Sequence, residues 1–392
     1  MSPQPLLPAY KVLAVAAALR TDGKTPHLTH GTEDKPIQLG QTQIFAVRFE
    51  DGDTWAVRIP IHQDGTLSPS FIADLVQDEV DTLLKLNEAG FRWAPKLIGS
   101  DSSFDNPLGR PYMVVNWLPG VALEWSSALA AEKRQKVLCQ LADIQLNLAQ
   151  CTSESRSNPS SSDLAQRHLM DIIGSKVSRV MNGTLPEVDL RSCFVLGALV
   201  RKAVRAESPL FALTHSNLAA HKIIVDSDYN ITGVVDWKLA RFRPLEVALK
   251  WPRLLAVGRD VADSSSPKDN TSVESVLPYP ELAADRQVFL SHLSSLASSD
   301  SAHSSLAASM NSILTDPVVD WKNLIIDSCF SKGLHRWMAE RSWLIKGLGH
   351  DVELIVQDPA NRAVDAEIDN FLRSEHEGAF TRDELVEMCK SK

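Results

Sequence analysis

Two stretches carry the side chains most able to do chemistry: Leu213-Thr-His-Ser-Asn-Leu-Ala-Ala-His-Lys-Ile-Ile-Val-Asp226 and Asn230-Ile-Thr-Gly-Val-Val-Asp-Trp237. They bring together His215, Asn217, His221, Lys222 and Asp236. An imidazole moves protons near neutral pH. A lysine beside an aspartate can form an ion pair, and Arg58 and Lys238 would extend it into a pocket for an anion. Such a set can run acid–base chemistry on an organic substrate without a metal: dehydration, isomerisation or cyclisation. His215, Asn217, Lys222 and Asp236 are therefore the candidate catalytic residues. Plain structural roles stand beside these: His215 bonded to backbone, Asn217 bracing its loop, His221 facing solvent, Lys222–Asp236 as an ion pair alone.

The elements around these residues follow from pattern. Ile223, Ile224 and Val225 form a short apolar strand, a turn follows at 226–230, and a second strand over 231–235 ends at Asp236, so the pair is a hairpin. It would hold His215, Asn217 and Lys222 close to Asp236. Nearer the N-terminus, alternating residues 43–50 and 54–60 flank Asp51-Gly-Asp53, the strongest hairpin signal in the chain. Between residues 74 and 89, Leu75, Val76, Val80, Leu83, Leu84 and Leu86 recur at helical spacing, and Glu79 lies on that helix. Residues 112–115 read as an apolar strand, and Gly120 allows the turn after it. Residues 131–150 read as an amphipathic helix, with Val137, Leu138, Leu141, Ile144 and Leu148 on one face. Helices are expected at 164–180 and 191–205, and again at 321–348, 359–374 and 381–390. Ser-rich residues 153–163 and 260–275 read as loops, and Ser-rich 294–312 as loop or helix.

Several of these residues resemble the aminoglycoside phosphotransferase and choline kinase-like family, which has a protein-kinase-like fold. Its catalytic loop has the form His-Gly-Asp-x-x-x-x-Asn, followed by two strands and Ile-Asp-Trp. Gly52-x-x-Trp55-x-x-Arg58-x-Pro60 is similar to a motif common among fungal members. Asp236-Trp-Lys-Leu-Ala-Arg-Phe-Arg-Pro-Leu-Glu246 resembles the fungal pattern Asp-Trp-Glu-x-Ala-x-x-x-Pro-Leu-Glu. The resemblance covers most of residues 36–255. It implies an α+β fold of two lobes, a small β-rich one over 1–118 and a larger, mostly helical one over 119–392. Arg58 then takes the place of the lysine that holds the α- and β-phosphates, and Glu79 is its partner. In the run between the lobes, Asn116 to Leu118 would lie against an adenine, and Val115 and Trp117 are candidate cofactor-binding residues there. The glycine loop expected to cradle phosphates is reduced to Gly40. Where the family has its catalytic Asp this chain has Asn217, and where it has a metal-binding Asn this chain has Lys222; the second metal-binding acid is retained as Asp236.

Composition narrows the classes. At 392 residues, with 44% hydrophobic and 23% charged side chains, the chain reads as an ordinary globular protein with room for two cores. A net charge of −9 argues against nucleic-acid and anionic-membrane partners. Five scattered cysteines without Cys-x-x-Cys argue for reduced thiols, and the apolar run at 12–19 is too short to span a membrane. A cytoplasmic location and a small-molecule partner are expected.

Three functions follow. The leading expectation is a small-molecule biosynthetic enzyme, by analogy one of fungal secondary metabolism, with the phosphotransferase fold, a disabled kinase site, metal-free acid–base chemistry and no required cofactor. The alternatives are a pseudokinase that binds a ligand or partner without turnover, and a small-molecule kinase using ATP and magnesium, with Asp236 as the metal ligand.

Overall fold

The computed structural model describes residues 7–33, 35–39, 42–61, 68–126, 128–155, 164–204, 210–215, 217–257, 281–299, 303–343, 361–373 and 380–390. Gly40 and the Ser-rich loop expected at 260–275 lie outside them. The chain folds into two compact units, Met1–Thr152 with Thr214–Arg241, and Ser153–Leu213 with Phe242–Lys392. This grouping does not follow the 118/119 lobe boundary expected from sequence, because strands beyond residue 213 pair back onto strands before residue 152.

The first unit opens with α1 (Ala9–Leu19), then β1 (Pro26–Thr29), β2 (Ile37–Leu39), β3 (Thr42–Phe49) and β4 (Thr54–Pro60). After α2 (Pro69–Glu88) come β5 (Leu97–Asp101), β6 (Tyr112–Asn116), β7 (Val121–Ala122) and α3 (Ala131–Thr152). The main sheet has the order β1-β3-β4-β6-β5, with β2 also on β3. The hairpin expected around Asp51-Gly-Asp53 is β3–β4, in antiparallel register Phe45↔Val57 and Ile44↔Arg58. Because side chains alternate across a strand, Phe45, Val47, Phe49, Trp55, Val57 and Ile59 share one buried core with Val12, Val15 and Ala16 of α1. Ile44, Ala56 and Arg58 have the other parity and line a cleft. One period-2 pattern thus builds a core on one face of the sheet and a site on the other. β1 and β2 have no counterpart among the elements expected from sequence: both are short, and β1 lies in the polar residues 21–35.

The helix expected at 74–89 begins one turn earlier. The Ser68 hydroxyl accepts from the Phe71 N–H and Pro69 occupies the first turn, a capped start. Its buried face runs Ile72, Val76, Glu79, Val80, Thr82, Leu83 and Leu86, so Glu79 is the one charged side chain on a mostly apolar stripe.

The chain returns to this unit with β10 (Ile223–Val225) and β11 (Ile231–Val234), which form a sheet of order β11-β10-β7. Asp226 closes the turn between them: its carboxylate accepts from the N–H groups of Asp228 and Asn230 and from the Asn230 side-chain amide. Gly120 enables the β7–β10 pairing. It has φ +117°, and a Cβ there would lie 2.1 Å from the Val225 carbonyl oxygen.

The second unit is mostly helical: α4 (Leu164–Met181), α5 (Leu190–Ala203), α6 (Leu245–Ala248), α7 (Leu282–Ala297), α8 (Ser304–Leu314), α9 (Val319–Phe330), α10 (Lys332–Glu340), α11 (Asn361–Leu372) and α12 (Arg382–Lys390). A further sheet, of order β12-β9-β8, comprises β8 (Glu154–Ser155), β9 (Leu210–Thr214) and β12 (Arg241–Pro244). The Ser-rich 294–312 region is largely helical. The helix expected from 321 is interrupted at Ser331, whose backbone is extended and whose hydroxyl caps α10 by accepting from the Leu334 N–H. No described helix is long and apolar enough to cross a membrane.

Candidate functional site

The cleft lies wholly within the first unit and has a volume of about 470 Å³. Its apolar walls include Ile44 and Ala56 from the β3–β4 hairpin, Val115 from β6, and Ile224 and Val235 from the second hairpin. Trp117 and Leu118, just after β6, continue the wall. The ring of His30 stacks on Trp117 with centroids 4.7 Å apart and planes 3° apart.

The polar side of the cleft is built from three elements. β4 presents Arg58, and α2 presents Glu79, which is only 4% exposed. Arg58 Nη1 donates to Glu79 Oε1 at 2.6 Å and Nη2 to Oε2 at 3.4 Å. Burial alone would pull the Arg58 guanidinium down, but Glu79, with Asp236 beyond it, pushes it above its ordinary value. Glu79 Oε1 also accepts from the Trp237 backbone N–H at 3.1 Å. One carboxylate therefore ties the β4 cation to the chain immediately after Asp236.

Asp236 follows β11 with φ +72°, a left-handed conformation that among residues other than glycine is found most often for asparagine, aspartate and histidine. Its Oδ2 lies 2.7 Å from Lys222 Nζ and its Oδ1 3.4 Å from Lys238 Nζ. Burial pushes the Asp236 carboxyl up, but Lys222, then Lys238 and Arg58, outweigh it and hold the group below the usual carboxylate range. Lys222 is placed by a single 3₁₀ turn, Ala220–Lys222, whose end is pinned where the Val235 N–H donates to the Lys222 carbonyl at 2.9 Å.

His215 is 4% exposed, and its Nε2–H donates to the Val235 carbonyl at 2.9 Å. Its ring packs edge-on against Trp237 at 4.7 Å. Burial pulls its pKa down to about 4, so the ring is neutral at physiological pH. Asn217 keeps the loop turned: its N–H donates to the His215 carbonyl and its carbonyl accepts from the Ala219 N–H. Its Oδ1, like His215 Nδ1, is buried with no hydrogen-bond partner among the described residues.

The sequence-derived residues thus divide. Arg58, Val115, Trp117, Lys222 and Asp236 line the cleft, Glu79 backs it through Arg58, and His215 braces the strand that delivers Asp236. His221, expected at the solvent, is exposed and also lines the cleft. Lys238 was marked only as a possible extension, yet it touches the second oxygen of Asp236. A signal for it was present, since the fungal pattern has glutamate at that position. The partnership of Trp237 N–H with Glu79 has no sequence signal, because a backbone donor looks the same in every residue.

The profile of the phosphotransferase enzyme family matches residues 35–247, more than half of the chain. The chain belongs to the phosphotransferase enzyme family. No curated protein matches the sequence significantly. Among solved structures, Plasmodium vivax ethanolamine kinase is 12% identical, with 87% of this chain and 90% of that one covered, at a TM-score of 0.49. A macrolide 2′-phosphotransferase from Brachybacterium faecium is 17% identical, covering 77% and 97%, at 0.38. The aminoglycoside phosphotransferase APH(2″)-IIa, in a ternary complex with streptomycin and ATP, is 9% identical, covering 83% and 91%, at 0.48.

Magnesium, which phosphotransferases of this kind hold against the phosphates, does not fit this donor set. The two oxygens of Asp236 face ammonium groups, and an ammonium has no lone pair to give a metal.

Proposed function

We propose that this phosphotransferase-family protein binds a small organic ligand in its cleft and does not carry out magnesium-dependent phosphoryl transfer. The observation that carries this reading is the Lys222–Asp236 contact of 2.7 Å. Phosphoryl transfer needs a metal on the phosphates and a group that accepts or orients the nucleophile's proton. Lys222 supplies a charge where a metal ligand is required, and the Asn217 amide does not take up a proton at physiological pH. The apolar walls formed by Ile44, Ala56, Val115, Ile224 and Val235 suit a weakly polar body.

Metal-free acid–base turnover is a second reading, favoured by one observation. His215 Nδ1 and Asn217 Oδ1 are buried acceptors without partners among the described residues; neither residue lines the cleft, so a substrate N–H or O–H group would have to enter behind its wall to satisfy them. Two features place this reading behind simple binding. Asp236 is held below its ordinary pKa and His215 is pulled down to about 4, so neither is poised near neutral pH for proton transfer.

The test is calorimetric titration with ATP, with and without Mg²⁺, on the wild type and on the double variant Asn217→Asp/Lys222→Asn. Expected is no magnesium-dependent binding by the wild type and its appearance in the double variant. Micromolar Mg-ATP binding with phosphate transfer by the wild type would sink the proposal. Product formation from an organic substrate in EDTA, lost in Lys222→Ala, would move the conclusion to the second reading.

A further inference from the structure

The charges around the cleft do not cancel. Three cations, Arg58, Lys222 and Lys238, face two carboxylates, Glu79 and Asp236, before any contribution from His221. Arg58 is paired with Glu79 through two hydrogen bonds. Lys222, 13% exposed, makes the close contact with Asp236 Oδ2. Lys238 stands off at 3.4 Å from Oδ1 and is 33% exposed, so its positive charge is the one left over and the one a ligand can reach. Directly beside this charge is a cleft whose remaining lining is mostly apolar, with Trp117 among its walls. An excess charge next to an apolar wall selects a molecule with the same two parts, because the ligand's charge is compensated while its body leaves water.

We propose that the ligand is an organic anion: a largely apolar body carrying one negatively charged group that sits on Lys238 and Lys222 with no metal between. The two lysines then do for the anion what a divalent cation does in a metal-dependent site, and the contact with Asp236 holds Lys222 in place. This inference rests on the proposed function, since it assumes that the site is not organised around magnesium.

The experiment uses a matched pair of probes on the full-length protein in EDTA. These are 8-anilinonaphthalene-1-sulfonate and its uncharged counterpart N-phenyl-1-naphthylamine, each titrated by fluorescence. The wild type is compared with Lys238→Gln and Lys238→Glu, each first shown to be folded by circular dichroism. The wild type is expected to bind the sulfonate at one site and at least about fivefold more tightly than the neutral probe, the scale of one partly exposed ion pair. Lys238→Gln should remove most of that preference and Lys238→Glu should reverse it, with the neutral probe changed by less than about twofold, since the apolar wall is untouched. Equal affinity for the two probes, or a preference that survives Lys238→Glu, overturns the inference. A parallel arm with Mg-ATP keeps the two conclusions apart. Magnesium-dependent transfer of phosphate overturns the proposed function whatever the probes do, whereas a lost sulfonate preference alone overturns only the organic-anion assignment.

Discussion

Glu79 does more than neutralise Arg58. Its buried carboxylate holds a part-buried guanidinium on one side and the buried Trp237 N–H on the other. Breaking a buried pair by removing one partner costs about 3–5 kcal/mol, because the remaining charge is stranded. Glu79→Ala should lower stability by that order in urea titrations, while Arg58→Met/Glu79→Leu should recover much of it. A double variant as unstable as Glu79→Ala would show that the apolar replacements cannot fill the space. The buried histidines give a pH signature. His215, with a pKa pulled down to about 4, and His335, pulled down to about 3, both by burial, stay neutral in the fold. In the unfolded chain each takes up a proton near the ordinary value of about 6.5. The unfolded state therefore binds more protons between those limits, and stability, complete above about pH 6.5, falls as the pH drops toward 4. His215→Gln and His335→Gln should each flatten part of that slope. An unchanged slope in both variants would mean that other groups, Asp236 among them below pH 4, set the acid sensitivity.

At the scale of elements, the site depends on how closely strands approach. Gly120 lets the chain after β6 pass against β10, and no side chain fits there, since φ is +117° and a Cβ would meet the Val225 carbonyl at 2.1 Å. Gly120→Ala should cost more than about 3 kcal/mol through strain and clash together, measured as the shift of the urea midpoint. A shift below about 1 kcal/mol would mean that the β7–β10 pairing gives way cheaply. Helix starts matter in the same way. The Ser68 cap fixes where α2 begins, and so which of its residues, Glu79 included, fall on the buried stripe. In the second unit, Lys176 of α4 is buried with its ammonium on the Ser328 carbonyl and near His335 Nδ1, and burial pulls it down to about 8. That cation lies on the helix expected from sequence over 164–180, where nothing in the pattern singles out a buried lysine.

At the scale of the whole molecule, the first unit is discontinuous in sequence. Residues 1–152 leave β7 without β10, whose register is Ile224↔Ala122 and Val225↔Val121. They also leave the Trp93 carbonyl without the Val234 N–H, and the Gln140 amide without the Tyr229 carbonyl. Open strand edges and unpaired backbone groups cost stability and invite association. A fragment of residues 1–152 should therefore lack a cooperative thermal transition, and joining residues 214–241 to it through a flexible linker should restore one. A sharp transition in the fragment alone would show that the first sheet and α1 are sufficient.

The sequence by itself determined the elements that repeat with a period: the β3–β4 hairpin from its alternation and Asp-Gly turn, α2 and α3 from their apolar stripes, and the second hairpin that delivers Asp236. It also determined the family and the unusual residues at Asn217 and Lys222, since identity at a motif position needs no coordinates. The Arg58–Glu79 pair was legible only because the motif linked residues far apart in the chain. Tertiary structure alone decided that Glu79 also holds the Trp237 N–H, that Lys238 reaches the second oxygen of Asp236, and that His30 stacks on Trp117. It decided too that residues 214–241 join the first unit and that Ser331 divides α9 from α10. The physical reason is range. Periodicity and turn chemistry act within a few residues and are written locally, whereas the partner of a buried charge or a backbone donor is chosen by which distant surfaces the packed chain brings within about 3 Å.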